Sequence, residues 1–154
     1  MISLLKTDSS HPDFAPLVRL LDADLAIRDG EEHAFYAQFN KTDHLKNVVL
    51  AYEGDRAVAC GAFRPFEPSV VEIKRMYTLP DCRGKGIASL VLAELEHWAG
   101  SLSFEKCVLE TGKKQPEAIR LYTKNGYSVI PNYGHYAGID NSVCFEKVLP
   151  GREL

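Results

Sequence analysis

The chain has 154 residues, of which 45% are hydrophobic and 25% charged, and a formal net charge of −3. These values fit a single globular domain over residues 1–154 and exclude a strongly basic nucleic-acid surface, a disordered polyelectrolyte and a membrane-spanning run. The four scattered cysteines (Cys60, Cys82, Cys107 and Cys144) make no Cys-x-x-Cys pair and no zinc-ligand spacing, so neither a disulfide framework nor a metal site is expected.

Ile2 to Lys6 reads as a short edge strand without the long apolar stretch of a signal peptide, which points to a cytoplasmic location. From Pro12 to about Ile27 apolar residues recur at helical spacing (Phe14, Leu17, Leu20, Leu21, Leu25), with N-cap oxygens on offer from Asp8 to Ser10. Glu31 to Phe39 predicts a second, shorter helix carrying Phe35, Tyr36 and Phe39. The period then shortens to two. Asn47 to Tyr52 and Ala57 to Phe63 form a hairpin about Glu53-Gly54-Asp55. Arg64 to Pro68, with two prolines, reads as a connection, and Val70 to Leu79 as the third strand of an antiparallel meander.

After Pro80 the helical period returns. Ile87, Val91, Leu95 and Trp98 make one apolar stripe, and Gly100 stands where a left-handed C-terminal residue is wanted. Lys106 to Thr111 is a buried strand. Pro116 opens a helix through Lys124 that Gly126 closes. Tyr127 to Ile130 and Ser142 to Leu149 are the last two strands, joined by a loop holding Tyr133-Gly134-His135-Tyr136.

The most informative segment is Arg83-Gly84-Lys85-Gly86-Ile87-Ala88, between a strand and a helix. The first N–H groups of a helix lack internal partners and carry partial positive charge. Glycines let such a turn approach a ligand closely, Ala88 leaves the first turn uncrowded, and Arg83 and Lys85 add cationic donors. The fitting guest is a pyrophosphate, although an ordinary glycine turn would have the same letters. A Walker loop would need Ser or Thr where Gly86 stands. A dinucleotide fingerprint would need glycine or alanine in place of Ser89. Glu110 lies near the distance of a ribose-binding acid, but the antiparallel meander before the loop counts against that reading.

The segment Arg83 to Ala88 resembles the Q/R-x-x-G-x-G/A signature of the GNAT acetyltransferase superfamily. Three further segments look like members of the same family in the same order: Val71-Glu72-Ile73-Lys74-Arg75-Met76-Tyr77, Glu117-Ala118-Ile119-Arg120-Leu121-Tyr122 with Gly126-Tyr127, and Ser142 to Lys147. The resemblance spans roughly Asn47 to Leu149. It implies an α/β fold: a mixed, twisted, mostly antiparallel sheet of six to seven strands, helices on both faces, and a V-shaped cleft. It also implies acetyl-CoA as co-substrate, with its pyrophosphate on the loop Arg83, Gly84, Lys85, Gly86, Ile87 and Ala88. The pantetheine arm would lie along Met76, Tyr77 and Thr78, like an added strand. Gln115 stands where the family often shows Asn, which puts that cofactor contact in doubt.

Direct acetyl transfer to an amine requires a base and a stabiliser for the departing thiolate. Glu72, a carboxylate in an interior strand, is the candidate base, and the alternatives for it are an ion pair with Lys74 or Arg75 or a strand face open to solvent. Tyr122 resembles the tyrosine that the family aims at the coenzyme sulfur, and the alternative is a core aromatic at helical spacing. Tyr36, Tyr133 and Tyr136, with His135, are the candidates for contact with a small-molecule or peptide amine. No nucleic acid or membrane partner is expected, and a homodimer would be in keeping with similar proteins. A coenzyme-binding module without turnover and a dinucleotide-dependent oxidoreductase are the competing readings.

Overall fold

In the computed structural model of the protein, residues 1–37 and 44–150 are described, the His33 side chain apart. The order is β1 (Ile2–Thr7), α1 (Phe14–Asp29), α2 (His33–Ala37), β2 (Asn47–Glu53), β3 (Arg56–Glu67), β4 (Val70–Thr78), α3 (Ile87–Ser101), β5 (Lys106–Gly112), α4 (Pro116–Lys124), β6 (Ser128–Ile130) and β7 (Ser142–Val148). The strands form one sheet, β1-β2-β3-β4-β5-β7-β6, antiparallel throughout except where β4 meets β5.

Helices cover both faces, which is why β2 carries four consecutive buried residues rather than an alternating pattern. Val48 and Leu50 pack under Phe14, Leu17, Val18 and Leu21 of α1. Val49 and Ala51 face the stripe Ile87, Val91, Leu95 and Ala99 of α3. Each fully buried large aliphatic side chain contributes roughly 1.5–3 kcal/mol. These two apolar layers therefore hold the sheet rigid beneath the site.

The sheet divides at its centre. β4 and β5 pair over three residues, Val70↔Lys106, Val71↔Cys107 and Glu72↔Val108, and their recorded pairing ends there. Beyond that point β4 stays with β3 as far as Thr78, while β5 stays with β7 as far as Gly112. A wedge opens between them. Within it β4 carries a bulge: Cys60 pairs with Tyr77 and Ala62 with Lys74, so Arg75 and Met76 together oppose Gly61. Arg75 takes the left-handed conformation, at φ 58°. Gly61 is required by space, because a Cβ there would lie 2.4 Å from the Met76 Sδ.

Several expectations are corrected. The strand before the glycine loop does begin a parallel unit, since β4, α3 and β5 form a crossover; one strand can end a meander and start a crossover, so the meander was no argument against a dinucleotide loop. β3 runs on through Arg64 and Pro65 to Glu67, with a register shift at Pro65 that absorbs the missing N–H. The N-cap of α1 is Asp13, whereas Asp8 instead accepts the Ser10 N–H. Gly100 lies inside α3, and the left-handed residue after it is Ser103, at φ 74°. Of the second helix the described part is His33–Ala37, and Phe39 lies outside the described residues.

Candidate active site

The wedge holds two cavities that meet. The outer one, of about 430 Å3, runs from the end of β4 past the glycine loop to α4. Gly84 and Gly86 adopt φ of 79° and 80°, and a Cβ on either would meet nothing within 4 Å. Glycine is thus chosen for conformation, and the loop faces open space. Gly86 is the N-cap of α3 and no side chain caps that end, so its first N–H groups remain available to an anion. From the facing helix, Arg120 and Lys124 line the same cleft. Asn125 donates to Ser89 Oγ at 3.1 Å, tying the end of α4 to the start of α3. A phosphate-bearing ligand fits this uncapped, glycine-lined, cationic cradle.

The inner cavity, of about 110 Å3, lies on the sheet face under α1 and α2. In β5, Cys107 and Leu109 point to the apolar α3 layer, so alternation turns Val108 and Glu110 the other way. Glu110 lines the cavity. Burial pushes its carboxyl up to about 7, Asp29 and Glu72 adding to the shift while a hydrogen bond from Ser142 and the charge of Lys74 oppose it. Its Oε2 is buried without a hydrogen-bond partner among the described residues. The Tyr36 hydroxyl lies 2.9 Å from Ser142 Oγ. The two hydroxyls thus share a hydrogen bond close to the Glu110 carboxylate.

Glu72 is also buried, at 1% exposure, but its oxygens are engaged. Arg64 donates to Oε1 through Nε at 2.9 Å and Nη2 at 2.8 Å, and the Tyr133 hydroxyl donates to Oε2 at 2.7 Å. Tyr122 lines both cavities. Burial, with Glu110 nearby, pushes its phenol above the usual tyrosine range, so it stays protonated as a donor.

Most of the sequence candidates converge here. Tyr77, Thr78, Arg83, Gly84, Gly86, Ile87 and Ala88 line the outer cleft, while Met76 and Gln115 line both cavities. Arg83 folds back, donating to the Thr78 carbonyl at 3.0 Å with its guanidinium over the Tyr77 ring. Glu72, Tyr36 and Tyr136 line the inner cavity. Lys85 is exposed and lines neither, and Tyr133 reaches the site through its hydrogen bond to Glu72 and its ring contact with Tyr136. His135 is exposed, with its ring against Tyr136. Sequence reasoning weighed Glu110 only as a ribose ligand, although the argument made for Glu72, a carboxylate inside an apolar strand, applies to it equally. It passed over Ser142, Arg120 and Lys124.

Residues 14–127 match the model of the acetyltransferase (GNAT) family. A protein of Escherichia coli named as the uncharacterised N-acetyltransferase YjgM is 30% identical over 135 residues, 80% of either chain. A Klebsiella pneumoniae structure described as an acyl-CoA N-acyltransferase superposes with a TM-score of 0.81 at 28% identity, covering 97% of this chain and 98% of that one. A GNAT acetyltransferase from Elizabethkingia anophelis, solved with acetyl-CoA bound, shares the fold with a TM-score of 0.69 at 17% identity, covering 96% of this chain and 98% of that one. The chain is an acyltransferase and belongs to the GNAT acetyltransferase family.

Proposed function

We propose that the protein transfers the acetyl group of acetyl-CoA to a primary amine by direct attack in a ternary complex. The observation that carries this reading is the meeting of the two cavities at Met76, Gln115, Ala118 and Tyr122. One side is shaped for a phosphate-bearing coenzyme and the other holds a carboxylate tuned near neutrality. A reacting carbonyl at their junction would be reached from both. The Elizabethkingia neighbour, with acetyl-CoA in the same fold, supports the choice of donor.

Acetyl-CoA supplies an activated acyl thioester. The Gly86, Ile87 and Ala88 amides, with Arg83, Arg120 and Lys124, hold its phosphates, each charge-assisted hydrogen bond contributing about 1.5–3 kcal/mol. The free edge of β4 at Met76, Tyr77 and Thr78 offers backbone groups to the pantetheine amides, and Gln115 stands where the two cavities join. An alkylammonium has a pKa of about 10.4 and must lose a proton before it attacks. Glu110, at about 7, is ionised often enough at neutral pH to take that proton and basic enough to hold it. Glu72, engaged on both oxygens, fixes Tyr133 and the β4 edge. The protonated Tyr122 hydroxyl donates to the thiolate as it leaves. The test is release of free thiol from acetyl-CoA across a panel of primary amines. Amine-dependent release is expected, whereas saturable coenzyme binding with no release for any amine would leave a binding module instead.

A further inference from the structure

Acyl transfer passes through a tetrahedral centre whose oxygen carries the charge displaced from the carbonyl, and that charge calls for hydrogen-bond donors aimed at it. In the proposed transfer Glu110 serves as base and Tyr122 as donor to the leaving sulfur, but no group yet holds this oxygen. The reacting carbonyl lies where the cavities meet, and five residues line both of them: Leu21, Met76, Gln115, Ala118 and Tyr122. Of these side chains only Gln115 and Tyr122 carry a hydrogen-bond donor. Tyr122 is engaged with the sulfur in that scheme, and the β4 backbone at Met76 to Thr78 with the pantetheine amides. Gln115 is left.

Its backbone is tied down while its side chain is not. The Gln115 N–H donates to the Gly112 carbonyl at 3.0 Å, and its own carbonyl accepts from Ala118 at 3.1 Å and Ile119 at 3.2 Å, the first bonds of α4. A polar side chain at the N-cap of a helix ordinarily accepts from the first turn. The Gln115 side chain caps nothing, and among the described residues its carboxamide makes no hydrogen bond. The amide nitrogen lies over the end of β5, 3.5 Å from where a Gly112 Cβ would stand. Gly112 and Glu110 are two apart on that strand and share a face, so the amide and the proposed base lie along one wall of the inner cavity.

On the helix, Gln115, Ala118 and Tyr122 fall three and four residues apart, which puts them on one side. Helical side chains lean towards the N-terminus, which carries the Tyr122 hydroxyl towards Gln115. Ala118, between them, fills only a methyl's space. A thioester bears its oxygen and its sulfur on one carbon, and α4 offers a donor to each.

We infer that the Gln115 carboxamide N–H is a catalytic donor to the thioester carbonyl oxygen, holding the oxyanion of the tetrahedral intermediate while Tyr122 holds the departing sulfur. The inference rests on the acetyl-transfer reading above. As the neutral amine nitrogen bonds to the carbonyl carbon, the C=O π pair moves onto the oxygen facing Gln115. Collapse re-forms the C=O bond and breaks the C–S bond, leaving its pair on sulfur. The proton shed by the nitrogen balances that pair, and the products are the amide and free thiol. Gln115 keeps both amide protons throughout, so it acts by position alone.

The test uses the full chain and the amine that releases thiol fastest from acetyl-CoA. Gln115→Ala, and Gln115→Met with the same reach but no donor, should each lower the single-turnover rate about 10²–10³-fold, the loss for one such donor. Their affinity for coenzyme A should match that of the wild type. An unchanged rate, or a fall in coenzyme affinity as large as the fall in rate, would make Gln115 at most a ground-state contact with the cofactor and overturn the inference while leaving acetyl transfer standing. Should Gln115→Ala fail to fold, Gln115→Met decides. Should no amine release thiol from the wild type, the transfer reading falls by itself. The infrared band of the thioester carbonyl in bound acetyl-CoA, isotope-labelled at that carbon, then upholds the Gln115 contact if it moves to higher frequency in the variants and overturns it if it stays.

Discussion

Glu110, the base of the proposed transfer, owes its raised proton affinity to its surroundings. Its burial and the nearby Asp29 and Glu72 raise its affinity for a proton, and Ser142 and Lys74 restrain the rise to about 7. The acid limb of kcat/KM is therefore expected near that pH, with activity growing as Glu110 ionises. Glu110→Gln should lower turnover by about 10²–10⁴-fold, the range for losing a general base. The same substitution should stabilise the fold at alkaline pH. The folded carboxyl, raised from 4.5 to about 7, binds more protons than the unfolded one between those values, so its contribution to stability falls as pH rises through that window. Removing a charge that burial disfavours should then gain on the order of 1–3 kcal/mol at pH 8, with little gain below pH 4. Denaturant midpoints at the two pH values check this, and a loss of stability at pH 8 would show Glu110 to be a structural carboxylate. Tyr122→Phe complements it. Tyr122 lines both cavities and is the proposed donor to the leaving thiolate, so turnover should fall at least about tenfold while coenzyme affinity barely changes. Unchanged turnover would remove Tyr122 from the chemistry.

The bulge of β4 is the element that turns a sheet into a site. By opposing one residue of β3 with two of β4, it places Arg75 towards α1 and Met76 towards α3 and the coenzyme cleft. Gly61→Ala would press a methyl against Met76 Sδ and also within 2.9 Å of Leu95 and Val91. Overpacking of this kind costs about 1–3 kcal/mol. Because Met76 lines both cavities, coenzyme affinity should weaken together with the melting temperature; a loss of stability with affinity intact would mean that the bulge is held by β3 alone. This element also marks the limit of what the sequence discloses. The glycine loop was legible as a tight turn into a helix because left-handed backbone at Gly84 and Gly86 favours glycine, and the inner strands because helices on both faces impose apolar runs. The bulge was not, since nothing in Val70 to Thr78 states which residue will be left-handed. Nor were the surroundings of Glu72 and Glu110 distinguishable, for each is set by partners distant in the chain: Arg64 and Tyr133 for one, Ser142 for the other. Pro65 misled in the opposite direction, because a register shift lets a strand pass through a proline that local rules treat as a break.

At the scale of the whole molecule, the sheet is two halves joined by three β4–β5 pairs and bridged above the wedge by side chains. Arg28 of α1 meets Glu117 of α4, Tyr36 meets Ser142, and Tyr133 meets Glu72. A ligand in the outer cleft touches both halves, β4 and the glycine loop on one side and α4 on the other. Coenzyme A should therefore stabilise the molecule as a unit. At a hundred times Kd the gain is about 2.7 kcal/mol, which for a chain of this size raises the melting temperature by roughly 5–10 °C. In the proposed complex the grip is divided between a diphosphate held by charge and a pantetheine arm held by backbone pairing. Acetyl-pantetheine, which lacks the phosphates, should lose most of the shift, and Arg120→Ala with Lys124→Ala should reduce the coenzyme A shift and its sensitivity to salt while leaving the small response to acetyl-pantetheine unchanged. Hydrogen exchange should slow in Gly84 to Ser89 with the coenzyme alone. Equal shifts from the two ligands, or protection confined to β4, would place the binding energy in the pantetheine arm and leave the loop without the anion its glycines are shaped to receive.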